Sequence, residues 1–158
     1  MTPFLRALQD SAFAAWVVGS DSLWAYPMIL TMHTVGLGIV VGAAVIIDLR
    51  LLGVGPAIPL DEINRVFPLF WVGFVINLVS GVMLFVSEAV DKATQPVFLV
   101  KLFFVITGVV VTARIRRLVV GDAATAGSVP SRSRTLAMAS LALWAGAIVA
   151  GRLMAYLK

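Results

Sequence analysis

The 25 residues 23–47 contain no Asp, Glu, Lys or Arg. In lipid every backbone polar group must find its partner within the spanning segment. A run of about 20 predominantly apolar residues therefore reads as a transmembrane helix. Three more such runs follow. Residues 66–87 are uncharged, residues 96–113 carry only Lys101, and residues 135–151 are uncharged and continue through Arg152 to Tyr156. Arg152 can lay its stem along the apolar surface and keep its head in water. The expected spans are thus residues 23–47, 66–87, 96–113 and 135–156, in a single all-α domain of 158 residues, a transmembrane four-helix bundle. Composition agrees: 61% of the residues are hydrophobic and 13% charged, against about 25% charged in soluble domains.

Span ends carry the matching local chemistry. Ser20-Asp21-Ser22 offers N-cap groups before the first span. Pro96 suits a first helical turn, as do Ser128 and Pro130 before the fourth span. Pro68 marks either the true start of the second span or a kink. Trp24, Tyr26, Trp71 and Tyr156 lie near span ends, where interfacial aromatics concentrate, whereas Trp144 falls mid-span. In residues 1–20, Leu5, Leu8, Ala12 and Trp16 form one helical stripe, which predicts a short interfacial helix. A signal peptide is the rival reading, but its basic region would be Arg6 alone, interrupted by Asp10.

Basic residues set orientation. The loop at 48–65 carries Arg50 and Arg65, and the loop at 114–134 carries Arg114, Arg116, Arg117, Arg132 and Arg134. The opposite side has Arg6, Lys92, Lys158 and Arg152. Both arginine-bearing loops should be cytoplasmic, with both termini outside. Residues 121–128, rich in Gly, Ala and Thr, predict a mobile loop rather than a domain. The net charge of +4 belongs to these loops. No basic stripe or aromatic platform accompanies it, so nucleic acid is not an expected partner; anionic lipid is.

Polar side chains at membrane depth are costly and each needs a reason. His33 lies about 16 Å into the first expected span at 1.5 Å per residue, near mid-membrane. Gly36, Gly38 and Gly42 follow it. A neutral imidazole can ligate heme iron, and glycines beside it leave room for a flat macrocycle. The plainer reading is that His33 hydrogen-bonds across helices while Gly38 and Gly42, a GxxxG pair, bring two helices together. On the second span Gly73, Asn77, Ser80, Gly81 and Glu88 share a face that suits helix contact or the border of a cofactor. Lys101 should snorkel towards the outer interface and pair with Glu88 or Asp91, or contact an anion such as a heme propionate. Asp48 should pair with Arg50 or with the Arg114–Arg117 group. The cofactor-binding candidates are His33, Gly36, Asn77 and Lys101, with His33 the metal ligand.

Other chemistry is missing. Cysteine is absent and His33 is the only histidine, so neither thiolate sites nor a multi-histidine centre can form within one chain. No nucleophile–base pair can be assembled, and no catalyst is expected. Two functional classes stand: a b-type heme-binding or electron-transfer protein, and a non-redox partner-binding subunit or small transporter. The second would self-associate through the GxxxG pair and the small residues Ala139, Ala142, Gly146 and Ala150.

The string Tyr26-Pro27, His33 and Asp48-Leu49-Arg50-Leu51-Leu52-Gly53, with Gly81 to Phe85 ending one span and Pro96-Val97-Phe98-Leu99-Val100-Lys101 opening the next, resembles a family of small bacterial four-span inner-membrane proteins of unassigned activity. The resemblance covers residues 26–101 and implies a multi-pass inner-membrane protein. More distantly, the early histidine, the glycine ending the next span and the lysine opening the third are similar to copper-resistance D type domains and four-helix b-type cytochromes. That likeness implies His33 as a heme or copper ligand. The chain departs from the cytochrome pattern in having no paired histidine. A symmetric partner's copy of the same residue, or Met, Tyr or Lys, would have to complete the set.

Overall fold

The computed structural model describes residues 2–55, 59–119 and 131–157. Eight helices run in order through them: α1 (Thr2–Gln9), α2 (Ala12–Gly19), α3 (Tyr26–Leu51), α4 (Leu60–Asn64), α5 (Val66–Ser87), α6 (Ala89–Thr94), α7 (Pro96–Leu118) and α8 (Ser131–Leu153). No strand occurs among the described residues. Helices α3, α5, α7 and α8 are each long and apolar enough to cross a membrane. The expected loop at 121–128 and the helix start at Ser128 and Pro130 lie outside the described residues.

Two boundaries move. α3 occupies 26–51 rather than 23–47, because Pro27 in its first turn sets the start and no breaker intervenes before Gly53. Asp48 and Arg50, expected in a loop, are therefore helical. The end is a Schellman motif. The Gly53 N–H donates to Arg50 O at 3.2 Å and the Val54 N–H to Leu49 O at 3.0 Å. This requires Gly53 at φ +97°, which a residue without Cβ adopts without strain. α7 likewise runs to Leu118 instead of 113 and carries Arg114, Arg116 and Arg117 on its last turns, where cations complement the helix dipole. Pro68 sits in the first turn of α5, where its missing N–H costs nothing.

Each long helix turns a stripe of large apolar side chains outward. On α5 these are Leu69, Val72, Val75, Val79 and Val82; on α7 they are Leu99, Phe103, Ile106 and Val110. Steps of three and four residues place each set on one face. These faces have lipid as their natural solvent. Inward, α3 packs on both α5 and α8, and α7 packs on α8.

Small residues set how closely these helices approach. A Cβ on Gly36 would lie 2.8 Å from the Asn77 backbone N, and one on Gly73 would lie 2.9 Å from the Val40 backbone N. The α3–α5 contact is therefore made by Gly36 and Gly73. Gly38 and Gly42, the expected packing pair, have nothing within 4 Å at their Cβ positions. Between α7 and α8, Gly146 receives the Phe104 ring and Gly108 receives the Trp144 indole. Trp144 is buried at 2% exposure and meets Phe70 edge-on at 5.7 Å, which explains an aromatic residue away from the interface. Two apolar clusters result. One contains Ile47, Leu51, Phe67 and Ile115 towards the arginine-rich end; the other contains Val40, Ala44, Phe70 and Trp144 in the middle.

The N-terminal segment is two short helices rather than one. Ser11 Oγ accepts the Ala14 N–H at 3.2 Å and caps α2, so the helical phase restarts there. The buried residues are then Ala14 and Val17, while Ala12 and Trp16 of the expected stripe are exposed. α1 is held against α6 by Gln9 Oε1, which accepts the Val90 N–H at 2.9 Å.

Candidate functional site

α3 brings His33 to α5 at the end of the bundle away from the arginine-bearing loops. The side chain is seven residues past Tyr26, or roughly 10 Å into the 26-residue helix, nearer its N-terminal end than its middle. The distance is shorter than the roughly 16 Å read from the sequence because α3 begins at Tyr26 rather than at residue 23.

The ring is held on one side only. His33 Nδ1 lies 3.0 Å from the Asn77 carbonyl oxygen and 3.2 Å from Ser80 Oγ. A carbonyl can only accept, so Nδ1 carries the hydrogen and donates. In the neutral ring Nε2 then bears the lone pair. Ser80 Oγ donates to Ile76 O at 2.6 Å, which leaves its lone pairs turned to the imidazole. Asn77 Nδ2 donates back to His33 O at 2.8 Å, so two hydrogen bonds tie α3 to α5 at one level. Gly81 closes the arrangement: a Cβ there would lie 3.1 Å from His33 Cε1, so any side chain would displace the ring.

A cavity of about 1260 Å³ lies beside His33, lined from α3, α5, α6, α7 and the end of α8. Asn77, Gly81 and Lys101 line it, together with Leu30, Leu78, Val82 and Leu102, which are themselves exposed to the lipid side. Phe85 of α5 and Phe98 of α7, also in its wall, stack at 5.4 Å and join the two helices near their ends. At the rim Lys92 Nζ pairs with Glu88 Oε2 at 3.1 Å. Gln95 Nε2 donates to Leu157 O at 3.0 Å and fastens the C-terminal turn over α7.

Of the two carboxylates expected for Lys101, Glu88 or Asp91, the first is taken by Lys92. Lys101 makes no ion pair with a described carboxylate. Its stem passes over Gly151 of α8, whose Cβ position is 3.7 Å from Lys101 Cε. It shares the cavity with His33. Gly36 does not line it: the space beside that glycine is filled by the Asn77 backbone, which leaves none for a macrocycle. Of the four candidates, His33, Asn77 and Lys101 converge and Gly36 serves the helix contact that positions them. Ser80 and Gly81 are additional parts of the site. The polar stripe on α5 signalled them, but only the packing shows that they hold an imidazole.

Among the described residues no three His, Cys, Asp or Glu side chains gather as a metal cluster. A metal centre here would rest on the single imidazole and on donors of its own macrocycle. Asp48, expected to pair with an arginine, is buried at 1% exposure with its carboxyl facing Ser140 of α8. Comparison with family models, curated proteins and solved structures gives no match, so the geometry of the site carries the functional reading.

Proposed function

We propose that this chain is a membrane-embedded b-type heme-binding protein of an electron-transfer kind, with His33 as axial ligand. The observation that carries the reading is the Nδ1–H bond to the Asn77 carbonyl beside the cavity. Metal-ligating histidines typically donate their other N–H to a backbone carbonyl or carboxylate, which fixes the tautomer and the ring plane.

The residues fit the group in three respects. The cavity, about 1260 Å³, exceeds the usual 300–1,000 Å³ of small-molecule sites. Its walls are apolar where they meet lipid. Lys101, free of a described carboxylate partner, offers a cation for propionates, and Lys92 at the rim offers a second beside Glu88. When bound, heme supplies a one-electron couple. The protein's part is to present Nε2, shield one face and neutralise the acidic edge. Met154 also lines the cavity and would be a further residue able to hold the group, as would a second copy's imidazole.

The test is an absorption spectrum of protein purified in detergent after heme-replete expression. A Soret band that is lost or shifted in His33→Ala is the expected result. A colourless protein that also fails to take up added hemin would refute the reading. The non-redox alternative rests on Gly38 and Gly42, which face outward and leave a smooth strip for another helix. Only a monomer by crosslinking and mass measurement in mild detergent would remove its basis.

A further inference from the structure

Four charged side chains border the cavity at its α6 end: Glu88, Asp91, Lys92 and, from α7, Lys101. Glu88 and Lys92 pair with each other at 3.1 Å. One cation and one anion remain, Lys101 and Asp91, and neither forms an ion pair with a described residue. The two stand at different depths. α7 has 23 residues, a length of about 35 Å, against about 30 Å for the hydrocarbon core of a bilayer. Lys101 is half-buried and lies five residues past Pro96, roughly 7.5 Å along the helix and just inside the apolar layer. Its stem lets the ammonium reach the level of lipid phosphates. Asp91 is exposed on α6, the connection between the ends of α5 and α7, and so stands farther out.

The rest of the lining suits hydrocarbon. Leu30, Leu78, Val82 and Leu102 are exposed apolar side chains of the wall, against which acyl chains can lie. The volume of about 1260 Å³ exceeds the usual 300–1,000 Å³ of small-molecule sites, so a headgroup and the upper part of its chains find room. A water-soluble ligand would leave the apolar wall uncovered. A headgroup of negative charge alone would set a further anion against Asp91 and Glu88.

We propose that this end of the cavity binds the headgroup of a zwitterionic phospholipid with a primary amine, a phosphatidylethanolamine. Along such a lipid the chains come first, then the phosphate, then the ammonium. The protein presents an apolar wall, then Lys101, then Asp91, in the same order. Lys101 donates a charge-assisted hydrogen bond to the phosphate, and the lipid ammonium donates one to the Asp91 carboxylate. A quaternary choline has no N–H to donate, so the carboxylate distinguishes the two zwitterions. The Glu88–Lys92 pair is neutral towards either charge. The proposal does not rest on the heme reading: propionates and the lipid phosphate would be alternative partners for Lys101.

The experiment uses the full chain from heme-limited expression, stripped of co-purified lipid in detergent. It is offered an equimolar mixture of dioleoyl phosphatidylethanolamine, phosphatidylcholine and phosphatidylglycerol, and retained lipid is counted by native mass spectrometry. Phosphatidylethanolamine should exceed each of the others by roughly fivefold, the upper range for one exposed ion pair. Asp91→Asn should remove that preference without lowering phosphatidylglycerol. Lys101→Gln should lower retention of all three lipids, and Lys101→Arg should restore it. Equal retention of the three lipids by the unaltered chain, a preference for phosphatidylglycerol, or a pattern that neither substitution changes overturns the proposal. Asp91 is exposed, so Asp91→Asn decides the matter if Lys101→Gln does not fold.

Discussion

Replacing Gly36 by Ala tests the geometry on which the His33 site depends. The new Cβ would sit 2.8 Å from the Asn77 backbone N and 3.0 Å from Ile76 Cγ2. Ordinary contact begins near 3.4 Å, so α3 and α5 must part by about 0.6 Å. The neighbour is backbone and cannot rotate away. A shift of that size along the contact would carry the His33–Asn77 bond from 3.0 Å to about 3.6 Å, outside hydrogen-bonding range. Overpacking typically costs about 1–3 kcal/mol. Two interhelical hydrogen bonds in a membrane are worth roughly 0.6 kcal/mol each. Since helix separation relieves the first while losing the second, the expected destabilisation is about 2 kcal/mol. Gly38→Ala and Gly42→Ala are matched controls on the same helix, with open space at each Cβ position. They should be neutral or slightly stabilising, because a helix-interior glycine is itself unfavourable by about 0.5–1 kcal/mol relative to alanine. Reversible unfolding in mixed micelles, followed by tryptophan fluorescence, separates the three. Equal stability of Gly36→Ala and the two controls would refute the α3–α5 contact and with it the posture assigned to His33.

Further outcomes follow from other contacts. Asn77→Ala removes the side-chain bond to His33 O but keeps the carbonyl that holds Nδ1, so it should lower stability by about 0.6 kcal/mol while retaining heme uptake. Loss of uptake at unchanged stability would contradict this. Trp144→Phe deletes a buried N–H that has no partner and preserves an aromatic edge against Phe70, so it should change the unfolding free energy little; Trp144→Ala should cost about 3–5 kcal/mol. Gly146→Ala meets only the Phe104 ring, at 2.8 Å, and a ring can turn. It should cost less than Gly36→Ala in the same titration, and Phe104→Leu should recover the loss.

Much of the architecture was legible in the chain because it rests on local rules. Four runs of sufficient length, proline at helix starts and glycine at a helix end define the long helices to within a few residues. The stripe Gly73, Asn77, Ser80 and Gly81 was readable as one face because residues three and four apart share it. Glu88, placed on the same stripe, instead follows the end of α5 and pairs with Lys92.

Tertiary structure alone decided which of those faces meet protein. In a membrane the lipid and the protein interior are equally apolar, so hydrophobicity does not say which side of a helix is inward. Gly36 and Gly38 are two residues apart and chemically identical, yet one touches a backbone and the other touches nothing. The same limit applied to charge. Spacing allowed Lys101 to reach Glu88 and Asp48 to reach Arg50, but the folded chain joins Glu88 to Lys92 and turns Asp48 towards Ser140. Lys92 lies one turn from Glu88 and wins it by proximity, whereas the partners of His33 and Asp48 come from a neighbouring helix that the local sequence does not contain.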